Sequence, residues 1–232
     1  TSLVLAEIIA DAGYPAGGVS IVPCEVEDAA PLIDDPRIRM ITFTGSAKAG
    51  WAIRARAVGK KVTLELGGNA AAIIEPDADL EHAVKRCATG GFGYAGQSCI
   101  SVQRVLVHAD VAQRFTEMLV TQVSKLRAGD PLDDATEVGP LIDEANARRA
   151  EAWVAEAVAG GARMATGGTR SGAVLDATVL LDTKAEMKVN AEEIFAPVVS
   201  VRTYTQFGEA LAMANDSPYG LQAGLFTYDI RQ

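Results

Sequence analysis

Apolar residues follow two rhythms along this chain, one of about every third or fourth position and one of alternate positions. Leu3, Leu5, Ile8 and Ile9 fall on one face of a helix that Gly13 stops. Residues 18–23 read as a strand. Residues 39–43 form another short apolar strand, running into Thr44-Gly45-Ser46, where Ser46 can cap a helix reaching Ala57. Over 61–66, Val62, Leu64 and Leu66 share one face and Thr63 and Glu65 the other, until Gly67-Gly68 breaks the strand. Residues 71–74 are apolar without interruption, as in a strand buried on both sides. Asp77 or Asp79 caps a following helix that carries Leu80, Val84 and Cys87. A strand over 102–107 precedes a helix marked by Val111, Phe115, Met118, Leu119 and Val123. After a turn-rich stretch, Ala150, Trp153, Val154, Ala157 and Val158 mark a long helix that ends at Gly160-Gly161. Strands are expected near 177–181, 198–204 and 224–228, with a short helix over 207–214. Strands alternating with helices predict an α/β fold of mainly parallel sheets with flanking helices. The Gly67-Gly68 break places a boundary between two lobes, 1–66 and 67–232.

Composition narrows the classes. With 49% hydrophobic and 22% charged residues the chain reads as a soluble globular protein. A formal charge of -9 argues against nucleic acid or an anionic membrane as a general partner. Three cysteines at irregular spacing make no disulfide framework and fit a reducing compartment, hence a cytoplasmic location. No apolar run approaches the roughly 18 residues that span a bilayer. The sequence opens at Thr1 inside an amphipathic pattern and stops at Gln232 after an apolar stretch, so a piece of a longer protein, truncated at both ends, is expected.

Several motifs invite chemistry. Gly91, Gly93 and Gly96 match the spacing of a dinucleotide fingerprint, but a helix precedes them and a strand follows, the reverse of what that motif needs. They read instead as a helix exit. Gly45 to Gly50 has phosphate-loop spacing without the lysine and hydroxyl residue that should follow. The strand, Gly45, Ser46 and a helix start form either an anion cradle or an ordinary capped helix. Cys99 lies in a loop between a helix exit and a strand, where reactive residues are often carried. Cys87 sits on an apolar helix face, and Cys24 follows Pro23 at a strand end. Free cysteines are usually core fillers, and Cys99 is the best candidate nucleophile of the three. Glu65, within an apolar alternation, is either a desolvated general base or part of a solvated strand face beside Thr63. Neither His82 nor His108 makes a metal cluster.

Together these segments resemble the NAD(P)-dependent aldehyde dehydrogenase superfamily. Thr63-Leu64-Glu65-Leu66-Gly67-Gly68-Asn69 is similar to its glutamate motif, and Gly96-Gln97-Ser98-Cys99 to its active-site cysteine motif. Positions 65 and 99 are 34 residues apart, the family's usual separation. Phe43-Thr44-Gly45-Ser46 resembles a cofactor loop, and Glu192 to Val198 a second cofactor motif, with Ala196 where glycine is usual.

The resemblance implies the following roles. Cys99 is the nucleophile, its backbone N–H meets the oxyanion, and Glu65 activates the water that hydrolyses a thioester. Glu193 holds the nicotinamide ribose and Phe195 packs near the nicotinamide. Gly45, Ser46 and Leu66 lie along the cofactor, NAD or NADP, and Gly67 and Asn69 shape the turn behind the base. Residues 1–66 would be the C-terminal part of the NAD(P)-binding domain and 67–232 the catalytic domain, incomplete at its C-terminus. The partner would be a small-molecule aldehyde, and the parent a homo-oligomer, dimer or tetramer. The family's second oxyanion donor falls upstream of Thr1, so the 232 residues alone are expected to be poorly active. The alternatives are a coenzyme A-acylating aldehyde or semialdehyde dehydrogenase, which often lacks the glutamate, and a non-catalytic folded fragment.

Overall fold

The alternation of residues 61–65 resolves into a two-stranded ladder. In the computed structural model, which describes residues 1–231, the chain separates between Leu66 and Gly67 into two units. The first, Thr1–Leu66, holds α1 (Ser2–Asp11), α2 (Ala30–Asp34), β1 (Met40–Thr44), α3 (Ala47–Arg56) and β2 (Lys61–Glu65). β1 and β2 run parallel, from Met40 opposite Lys61 to Thr44 opposite Glu65. Ser46 caps α3, its hydroxyl accepting the Ala49 N–H at 3.3 Å. The Leu66 side chain lies where a Cβ on Gly50 would stand, so that glycine lets α3 approach the end of β2. One expectation is corrected here. Residues 18–23 form no strand, because among the described residues no neighbouring backbone supplies a ladder. The apolar face of α1 forms but is not covered, with Leu3, Leu5 and Ile8 at 59%, 52% and 58% exposure.

The second unit, Gly67–Gln232, is built on a six-stranded sheet. Its strands are β3 (Ala70–Ile74), β4 (Val102–His108), β5 (Arg163–Thr166), β8 (Thr178–Leu181), β9 (Val198–Tyr204) and β10 (Ala223–Phe226). A short hairpin of β6 (Arg170–Ser171) and β7 (Val174–Leu175) stands apart. The sheet order is β10-β3-β4-β9-β8-β5. Neighbours run parallel except β5 against β8. The helices are α4 (Leu80–Phe92), α5 (Ala109–Val123), α6 (Glu144–Ala159), α7 (Lys188–Ala191) and α8 (Phe207–Asn215).

Both faces of the central strands β3, β4, β9 and β8 are buried, which is why these read as apolar runs. On one face Ala72, Ile74, Val105, Val107, Val179 and Val199 pack against Val84, Cys87, Phe115 and Leu119 of α4 and α5. On the other, Ala71, Ile73, Leu106 and Tyr204 pack against Ala210 of α8. Leu180 and Val198 pack there against Ala150, Val154 and Ala157 of α6. Residue types also set the helix starts. Asp79, not Asp77, caps α4 by accepting the His82 N–H at 3.0 Å. Asp77 instead takes the Thr227 hydroxyl at 2.9 Å and the Tyr228 N–H at 3.0 Å, pinning the exit from β10.

Candidate active site

The cysteine loop is bent by its backbone. α4 stops at Phe92, and a 3₁₀ turn, Gly93–Gly96, follows with Tyr94, Ala95 and Gly96 at φ 52, 54 and 69. Two non-glycine residues in the left-handed region are a sign of locally stored strain. A Cβ on Gly96 would overlap the Ala196 carbonyl, so glycine is required on both grounds. A tight turn over residues 98–101 comes next, the Ser101 N–H donating to the Ser98 carbonyl at 3.0 Å. Cys99 is the second residue of that turn and is half-buried. Among the described residues no group accepts its backbone N–H. Its carbonyl occupies the place of a Cβ on Gly68, so this glycine seats the cysteine turn. The other thiols fit poorly. Cys87 is 1% exposed and burial pushes its thiol up to about 12, leaving a neutral core filler. Cys24 is exposed on an unpaired segment of the first unit.

Glu193 and Phe195 adjoin this turn. The Glu193 Oε1 accepts the Gly68 N–H at 2.7 Å, and the carboxyl lies against the Cα of Gly67 where a Cβ would stand. Partial burial raises this carboxyl's pKa, with the Gly68 N–H and the Arg149 charge opposing. Among the described residues no donor meets Oε2. Phe195 has φ 49 and its ring is 40% exposed. Ala196 is buried at 2% and packs with Ile194 and Val198, so this site accommodates its methyl group. An enclosed space of about 10 Å³ lies among Gly68, Ser98, Gln103, Glu193 and Phe195. A carboxylate oxygen without a donor is free to accept a hydroxyl, and an exposed aromatic ring offers a face to a planar group.

In the first unit, the Gly45 N–H donates to the Glu65 carbonyl at 3.0 Å, joining two predicted residues through the β1–β2 ladder. Ser46 spends its hydroxyl on the α3 cap. Leu66 is half-buried. Glu65 ends β2 on the exposed face that it shares with Thr63 and Lys61. Glu65 and Cys99 belong to different units. Among the described residues no three His, Cys, Asp or Glu side chains gather to hold a metal ion. No helix among them is long and apolar enough to cross a membrane.

The sequence profile of the aldehyde dehydrogenase family matches residues 1–232. The chain belongs to the aldehyde dehydrogenase family. It is 42% identical over 231 residues to 3-sulfolactaldehyde dehydrogenase of Priestia megaterium, covering 99% of this chain and 48% of that protein. It is 42% identical over 225 residues to an NAD(+) benzaldehyde dehydrogenase of Pseudomonas putida, covering 96% of this chain and 46% of that one. The crystal structure of aldehyde dehydrogenase 21 from Physcomitrella patens, in complex with the reaction product succinate, superposes with a TM-score of 0.95. The two are 44% identical, over 99% of this chain and 48% of that one. The chain thus spans about half the length of the curated relatives it matches, and its α/β architecture is that of aldehyde dehydrogenases.

Sequence reasoning missed the buried polar residues around the site. Gln103 and Arg104, 5% and 4% exposed, are adjacent polar residues in the otherwise apolar β4. Arg104 donates to the Asn69 side chain at 3.0 Å and its carbonyl at 2.9 Å, and to the Met213 and Ala214 carbonyls at 2.7 and 3.0 Å. Asn69 in turn donates to the Asn190 carbonyl at 2.6 Å. The available signal was the polar pair itself, because a strand covered on both faces has no solvated side for it.

Proposed function

We propose that the protein carrying this chain oxidises an aldehyde to a carboxylic acid through an acyl group held on Cys99, with NAD or NADP as its cofactor. The observation that carries this reading is the seat of Cys99: a half-buried thiol in a tight turn that follows the strained Gly93–Gly96 turn, its N–H unclaimed, beside the Gly68–Glu193 contact. The Cys99 thiolate attacks the aldehyde carbon, forming a thiohemiacetal whose oxyanion leans on the Cys99 N–H. The bound nicotinamide supplies the acceptor for the hydride that leaves that carbon. Glu193 and Phe195 in the second unit, and Gly45, Ser46 and Leu66 in the first, are assigned to hold the cofactor. Glu65 takes a proton from water, the resulting hydroxide attacks the thioester, and the acid departs with the Cys99 sulfur restored. On this reading residues 1–66 belong to the cofactor domain and 67–232 to the catalytic domain. The relatives are named for sulfonated, aromatic and other aldehydes, which supports the class and no single substrate.

The test uses the full-length protein, an aldehyde panel, and rapid measurement of reduced cofactor and acid. Cys99→Ala is expected to remove both the first turnover and the steady state. Glu65→Gln is expected to retain a stoichiometric burst while turnover falls by about 10²–10⁴, the usual contribution of a general base. Unchanged oxidation in Cys99→Ala would end the proposal. Acyl-coenzyme A in place of acid would reassign the second half-reaction.

A further inference from the structure

We propose that Gln103 is a positioning residue that holds the backbone on both sides of Glu193. The inference deepens the reading of Glu193 as a cofactor-holding carboxylate and rests on it. Its starting point is an irregularity in the β3–β4 ladder: Ala70 opposes Val102, but the next residue, Ala71, opposes Arg104. Gln103 is the extra residue of a β-bulge, and the pairing of β4 with β9 begins only beyond it, at Arg104 opposite Ser200. Val102 and Val105 consequently pack on the same α4–α5 face although they are three positions apart in the sequence. In unbroken alternation Gln103 would share the face of Val105 and Val107. The bulge takes it out of that register.

The released side chain is 5% exposed and three of its hydrogen-bonding positions are used. Its Nε2 donates to the Val189 carbonyl at 2.9 Å and to the Glu192 carbonyl at 2.7 Å. Its Oε1 accepts the Ile194 N–H at 3.2 Å. One amide therefore grips the residues before and after Glu193. Val189 lies within α7 and Glu192 is its C-cap, and the last carbonyls of so short a helix have no helical partners. Among the described residues the Glu193 side chain has one hydrogen-bond partner, the Gly68 N–H, so its orientation depends on how firmly its backbone is fixed. Two donors and one acceptor in one plane are what this grip requires. Methionine has a similar shape and lacks all three, and an ionised glutamate lacks the donors.

The experiment measures binding of NAD and of NADP to the full-length protein by quenching of intrinsic fluorescence, together with KM for aldehyde and the rate of Cys99 alkylation. The variants are Gln103→Met, Glu193→Ala and the double substitution. Gln103→Met is expected to weaken cofactor binding about tenfold, in line with a binding group displaced by a fraction of an ångström to about 1 Å. KM for aldehyde and alkylation should stay within about twofold, and in the Glu193→Ala background Gln103→Met should add less than about twofold, because coupled groups are not additive. Gln103→Asn, one methylene shorter, should give a smaller loss in the same parameter, and it serves if the methionine variant does not fold. If Glu193→Ala weakens binding and neither Gln103 variant does, the positioning role is wrong and the reading of Glu193 stands. If Glu193→Ala leaves binding unchanged, the reading of Glu193 fails first. If every parameter and the melting temperature fall together, Gln103 is merely structural and the proposal is overturned.

Discussion

On the proposed reading, Glu193 serves two opposed demands. A carboxylate that accepts a sugar hydroxyl works best ionised, yet its partial burial favours the proton, and the Gly68 N–H and Arg149 do not offset this fully. The consequence for stability has a definite sign. A carboxyl whose pKa is raised by folding binds more protons in the native than in the unfolded state between the two values. Stability therefore falls as pH rises through that window, and the burden persists above it. Glu193→Gln keeps the shape and removes the charge. It should melt higher than the parent chain near pH 8, with the difference shrinking as pH is lowered to about 5. Thermal melts of both proteins across that range check this, and a difference that widens on acidification would contradict it. In the full-length protein, cofactor binding should weaken on acidification starting at a higher pH than for an ordinary glutamate, and the Gln variant should lose that dependence.

At the level of elements, the charged fork of Arg104 ties three pieces of the second unit together. Its guanidinium spans the Asn69 turn before β3 and the last carbonyls of α8, whose C-terminal end it caps from a neighbouring strand. Arg104→Met would leave these buried oxygens without donors. We expect it to lose about 3 kcal/mol of stability. Arg104→Lys should recover only part, because an ammonium lacks the planar fork that reaches all sides. Urea unfolding followed by Trp153 fluorescence in a Trp51→Phe background reads this unit alone, and a loss below about 1 kcal/mol would refute the role. The contrast between β4 and its neighbours also explains what a single sequence can reveal. β3, β8 and β9 were legible because two covered faces demand apolar runs, and α4 and α5 because each turns one apolar face to the sheet. The bulge at Gln103 was not legible, since a bulge is a relation to a partner strand and local pattern carries no partner. The single turn of α7 and the two-residue strands β6 and β7 are shorter than the period needed to detect them. Cys99 stood out by its loop between helix and strand. Glu193 was reached only through the resemblance, because nothing in its local spacing distinguishes it from Glu192.

At the scale of the whole molecule, the two units differ sharply in how much they bury. In Thr1–Leu66, among the described residues, Gly50 and Ala57 alone are buried, and β1–β2 is a two-stranded ladder with exposed residues at alternate positions. A two-stranded pair is marginal in water by itself, and so small a buried surface does little to offset the entropy of ordering the chain. Gly67–Gln232 instead has a sheet whose central strands are covered on both faces, and fully buried side chains such as Phe115, Leu119, Ile74 and Leu180. Local stability should follow this burial. In native-state hydrogen exchange on the 232-residue chain, amides of Met40–Thr44 and Lys61–Glu65 should be less protected than those of Ala70–Ile74, Val102–His108 and Val198–Tyr204. The expected gap is at least about a hundredfold, which corresponds to about 2.7 kcal/mol of opening free energy. Low urea should erase the remaining protection of β1 and β2 before it touches β3, β4 and β9. Equal protection in both sets, lost together in one transition, would mean that the first unit draws its stability from something other than its own buried side chains, and the link between burial and local order drawn here would fail.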